Sequence, residues 1–116
     1  MAAIFVASSQ THLPDLPAGL SNHTGHFIAY AALGVAALRA FAGAAWAGVV
    51  GRQALKAVIL ASLYGVTDEF HQVFVANRVP GADDWVADTL GALTGVAIVL
   101  LAARTRRSRR ARIDSV

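Results

Sequence analysis

Three long apolar blocks, separated by short polar breaks, dominate the pattern along the chain. The first runs from about His26 to Gly43, "HFIAYAALGVAALRAFAG", with room to extend toward Val50. The second runs from about Ala54 to Ala76 and the third from about Trp85 to Ala103. Each is rich in Ala, Leu and Val and lacks the two-residue alternation of a half-buried strand, so all three are predicted to be helices. A helix that crosses a bilayer needs about 20 mostly apolar residues for about 30 Å of hydrocarbon, and the three blocks reach or approach that length.

Ahead of them, "MAAIFVASS" is apolar for only nine residues. That is about 14 Å as a helix, too short to span. It lacks the basic start and the length of a signal peptide, and reads as the last half of a helix that began upstream or has been truncated. "THLPDLPAGLSN" then reads as a loop, because two prolines and a glycine break any helix. The expected fold is all-α: a polytopic transmembrane bundle with three full spans plus a truncated N-terminal helix. Residues 1–103 form its transmembrane domain and 104–116 a basic tail.

Composition turns "apolar helices" into "membrane helices". The chain is 56% hydrophobic, 15% charged, and has a mean hydropathy of +0.54. Soluble domains carry about 25% charged residues. There is no cysteine, so disulfides and thiolate metal sites are excluded.

Charge adds an orientation. Six of the ten basic residues lie in "RTRRSRRAR", Arg104 to Arg112, directly after the third block. Such a run can bind nucleic acid, but beside a membrane span the simpler partner is the anionic headgroup layer, at about 1 kcal/mol per basic residue. Arg39, Arg52 and Lys56 flank the connection between the first two blocks. By the positive-inside rule, that connection and the tail are cytoplasmic, and the loops near Asp15 and from Arg78 to Asp84 lie outside. Trp46 and Trp85 are expected near the two interfaces. The expected location is the bacterial cytoplasmic (inner) membrane, multi-pass, with the C-terminus inside.

Polar residues inside the apolar blocks supply the candidate chemistry. In "YGVTDEFHQVFVANR", Tyr64, Asp68, His71, Gln72 and Val75 share one helix face, with Gly65 and Glu69 one step around it. Asp68 would lie about 12 Å below the outer end of its helix. A carboxylate at that depth must be protonated, paired or turned to a wet cavity. On the third block Asp84, Asp88, Gly91 and Gly95 share a stripe, and "GALTG" has the small-xxx-small spacing that lets helices approach closely. On the first, His26 and Tyr30 share a face. Three helices thus bring polar groups to one depth, which predicts a polar cavity open to the outside. The closest charged partner of Asp68 is expected to be Arg78, reaching it by a chain reversal through "ANRVPGAD", or a nearby histidine. His12 and His23 are expected to be solvated, and Phe70 and Phe74 to be packing residues.

"HFIAYAALG", "YGVTDEFHQVFVANR" and "DDWVADTLGALTG" together resemble the VanZ-like family of small bacterial membrane proteins. The resemblance covers residues 26 to 95 and rests on His26, Tyr30, Tyr64, Gly65, Asp68, Glu69, His71, Gln72, Phe74, Arg78, Asp84, Gly91 and Gly95. Ser8 and Ser9 are also in keeping. Asn22 and His23 stand where the family usually has an aspartate-lysine pair, and Asp88 where it usually has an asparagine. The resemblance implies a four-helix pattern. It also implies an association with resistance to the glycopeptide antibiotic teicoplanin through the founding member.

Two functions compete. In the first, the cavity binds a cell-envelope component, with Arg78 meeting phosphate or carboxylate. In the second, the protein is a membrane-embedded enzyme acting on a lipid or glycan precursor. Asp68 or Glu69 is then the general base, His71 or His26 the second proton carrier, and Arg78 the stabiliser of developing charge. Proton or ion translocation lacks a visible path through the inner half of the spans. A role limited to fixing helix packing is the structural alternative. "DEFH" is no established metal motif and there is no HExxH, so no metal is assigned, and no cofactor is indicated.

Overall fold

The computed structural model describes residues 21–116. The stub "MAAIFVASS", Ser8 and Ser9, His12, and most of the predicted loop lie outside the described residues. Three α-helices follow: α1 (Asn22–Phe41), α2 (Gly51–Gln72) and α3 (Ala82–Asp114).

Local chemistry sets the boundaries. Ser21 caps α1 by accepting from the Thr24 amide at 3.2 Å. At the other end Gly43 takes φ +62°. The Ala44 amide then donates to the Arg39 carbonyl at 2.8 Å and the Gly43 amide to Ala40 at 3.1 Å. That is the glycine-ended Schellman termination, and it stops α1 well short of Val50. A short 3₁₀ turn, Trp46–Gly48, leads into α2. α2 ends at Gln72, four residues before the predicted Ala76, in turns that include Asn77 at φ +63°. Asparagine enters that left-handed region more readily than most residues.

Two of the described helices, α1 and α3, are long and apolar enough to cross a membrane by length and composition. The expectation of three such spans is therefore met by two. α2 has 22 residues, but Arg52, Lys56, Asp68 and Glu69 interrupt its apolar run. α3 has 33 residues. It continues through the arginine run instead of ending near Ala103, because nothing between Ala103 and Asp114 breaks a helix.

The packing is inverted relative to a soluble protein. On α2 the buried stripe is Ala54, Ala57, Ala61, Gly65, Asp68 and Gln72. Leu55, Ile59, Leu63, Val66, Phe70 and Phe74 point outward. Small and polar groups inside with large apolar groups outside suits contact with lipid and would be a severe liability in water. Phe70 and Phe74 are accordingly outward packing residues, in edge-to-face contact at 5.5 Å.

Glycines let α1 and α3 touch. A Cβ on Gly91 would collide with the Phe27 carbonyl oxygen, and one on Gly95 would lie 2.5 Å from that of Ala31. Gly34 faces the Ala92 backbone in return. An apolar cluster of Leu38, Val49, Ala57 and Val96 fills one end of the bundle. The other end is polar.

Candidate functional site

α1 and α3 begin at the polar end and α2 finishes there, so each helix contributes residues one turn apart. These are His26 and Tyr30 from α1, Asp68 and Gln72 from α2, and Asp84 and Asp88 from α3. All six are buried, and Tyr30, Asp68, Gln72 and Asp88 are 0% exposed.

Histidine-carboxylate contacts organise the cluster. His26 Nδ1 lies 2.8 Å from Asp88 Oδ1, and its Nε2 lies 3.9 Å from Asp84 Oδ2. The His26 and Tyr30 rings are nearly parallel, 6.5 Å between centroids, and Tyr30 lies 6.3 Å from Tyr64. Asp68 lies on the same buried stripe of α2 as Gly65 and Gln72, which places it in the same group. Gly65 makes the approach of α3 possible: a Cβ there would sit 3.1 Å from Asp88 Oδ2 and 3.2 Å from Trp85.

Glu69 faces the next segment of chain. Its Oε2 accepts from the Gly81 amide at 2.9 Å, satisfying a donor at the start of α3. His71 is half-buried on the last turn of α2. Trp85 Nε1 donates to the Ser62 carbonyl at 3.2 Å, and the Ser62 and Thr89 hydroxyls lie 3.0 Å apart, latching α2 to α3.

Arg78 corrects an expectation. The chain does reverse after α2, but the Arg78 guanidinium extends to Asn22 Oδ1, 3.5 Å away, and not to Asp68. Asn22 Nδ2 in turn donates to both Asp84 oxygens at 3.2 and 3.1 Å. Arg78 therefore joins the cluster through an amide, because α2 ends early and the reversal carries it over the start of α1. His23 is solvated as expected, its ring 58% exposed, but it is no bystander: Nδ1 lies 2.7 Å from Asp84 Oδ1. The signal for Asn22 was its spacing, since Asn22, His26 and Tyr30 form one i, i+4, i+8 stripe. Finding His23 needed the partner helix.

Several buried polar atoms have no hydrogen-bond partner among the described residues: Tyr30 Oη, both amide atoms of Gln72, Asp88 Oδ2 and Glu69 Oε1. Chemically, the cluster can exchange a proton between imidazole and carboxylate, and it can offer hydroxyl, amide and carboxylate groups to a polar visitor. Among the described residues no group of three or more His, Asp or Glu side chains has the geometry to hold a metal ion.

The VanZ/LLP1 family model matches residues 4–103. The chain belongs to the VanZ/LLP1 family. The match includes all the residues that meet at the polar end and stops where the arginine run of α3 starts. No curated protein and no solved structure matches the chain.

Proposed function

We propose that this VanZ/LLP1 protein binds the polar headgroup of a cell-envelope component at its polar end. The observation that carries the reading is the set of atoms on Tyr30, Gln72 and Asp88 that have no hydrogen-bond partner among the described residues, all on residues 0% exposed. A buried polar group left unsatisfied costs about 1–3 kcal/mol, so several together favour a visitor that satisfies them.

In this reading the protein is a multi-pass protein of the bacterial cytoplasmic membrane with the polar end outside. α1 and α3 both start at the polar end, so α2 has to return the chain across the full thickness. Its 22 residues give about 33 Å, enough for a third span. Arg39, Arg52, Lys56 and the arginine run share the opposite end, which supports a cytoplasmic C-terminus. There, α3 beyond Ala103 meets anionic headgroups.

The test is native mass spectrometry of the full chain purified from bacterial membranes in mild detergent. An envelope lipid or precursor is expected to travel with the wild-type protein and to be lost from Gln72→Leu and Asp68→Asn, but not from Asp114→Asn. Wild-type protein free of any adduct refutes the reading. The 2.8 Å His26–Asp88 contact favours a second reading, acid-base catalysis on such a precursor with Asp68 or Glu69 as base and His26 or His71 carrying the second proton. Conversion of the bound species on incubation would distinguish it.

A further inference from the structure

A cleft of about 290 Å³ opens beside the buried cluster, lined by Val66, Glu69, Pro80, Gly81, Ala82 and Trp85. Val66 lies on the outward apolar face of α2, so the cleft is continuous with the surface that suits lipid. Its volume is at the small end for a ligand site. It can take a compact headgroup but not a glycan.

Charge selects the headgroup. Glu69 supplies the one carboxylate in the wall among the described residues. Asp88 Oδ2 and the Trp85 ring both abut Gly65, where no side chain intervenes. Arg78 is held away on Asn22. A phosphate in this cleft would meet the Glu69 carboxylate. A cation would meet complementary charge beside the Trp85 indole. Glu69 Oε1 lacks a hydrogen-bond partner among the described residues. It calls for an N–H donor, which a quaternary ammonium does not have.

We propose that this cleft holds the primary ammonium of an amine-headed lipid from the surrounding leaflet, with Glu69 as its counter-ion. The proposal rests on the binding role of the polar end and names the ligand class. An adduct without an amine in the preceding experiment would sink this inference and leave that role standing.

The experiment places the full chain in nanodiscs of equal parts phosphatidylethanolamine, phosphatidylglycerol and phosphatidylcholine, then counts retained lipids by native mass spectrometry. Phosphatidylethanolamine is expected to exceed each of the others by roughly tenfold, the factor lost with one charge-assisted hydrogen bond. Glu69→Gln keeps an acceptor for the Gly81 amide, yet should bring retention down to the phosphatidylglycerol level. Val66→Trp, which fills the cleft from the lipid side and leaves the carboxylates alone, should do the same. Asp83→Asn, exposed and outside the cleft, should retain the wild-type pattern. Equal retention of phosphatidylcholine or phosphatidylglycerol, no retention of any lipid, or wild-type selectivity in both Glu69→Gln and Val66→Trp overturns the proposal.

Discussion

Asp88 depends on His26 for the one hydrogen bond that its carboxylate makes among the described residues. Removing one member of a buried charge pair costs about 3–5 kcal/mol, because the other is left in a poor dielectric. His26→Leu is therefore expected to lower the unfolding free energy in detergent by about 3 kcal/mol. His26→Leu/Asp88→Leu should recover most of that loss, since an apolar pair leaves no stranded charge. A double-mutant cycle followed by denaturant unfolding measures the coupling. Additive single effects would show that the contact contributes nothing. At the same scale, Arg78→Gln and Asn22→Ala should be coupled, because Asn22 ties Arg78 to Asp84. Thermal unfolding of the two single variants and the double variant checks this.

At the scale of elements, the α1–α3 seam depends on the missing side chains of Gly91 and Gly95. Gly91→Ala would drive a methyl group into the Phe27 carbonyl. Overpacking of this kind costs about 1–3 kcal/mol. Gly25→Ala meets nothing within 4 Å and lies in a helix, where alanine is favoured over glycine by about 0.5–1 kcal/mol. The two substitutions should thus move the unfolding midpoint in opposite directions. The basic end has its own tie between elements. Arg107 donates to the Trp46, Ala47 and Val49 carbonyls at 3.4, 3.1 and 2.5 Å, while Arg106 stacks 4.5 Å from the Trp46 ring. Arg107→Ala should raise amide hydrogen exchange across residues 46–50 with little change at the polar end. Unchanged exchange there would mean that the connection holds itself.

For the whole molecule, the separation of charge from end to end makes orientation testable. The chain has no native cysteine, so single cysteines report without background. With an impermeant thiol reagent on intact cells, a cysteine at Ala82 should label and one at Ser108 should not. The reverse pattern would put the polar end in the cytoplasm. α3 runs about 16 Å beyond Ala103 if straight. In the proposed orientation the outermost arginines would stand near the limit of the headgroup field at physiological salt, where screening takes hold within about 8 Å.

The amino-acid sequence alone determined the helical class, the placing of two apolar helices, the polar stripes of His26–Tyr30, Asp68–Gln72 and Asp84–Asp88, and the family. These are properties of period and composition, carried within each helix. Even the end of α1 was legible in principle, since Gly43 stands where a glycine cap belongs. What only the tertiary structure decided is which stripe meets which. Asp84 gathers Asn22 and His23 from another helix, and nothing local to His23 distinguishes it from a solvated histidine. Of the two partners expected for Asp68, Arg78 goes to Asn22 instead, because its reach depends on how many residues α2 gives up to the turn, a count set by packing at the polar end. The cleft beside Glu69 is likewise a product of two stretches, 66–69 and 80–85, and its shape exists only once α2 and the start of α3 are docked.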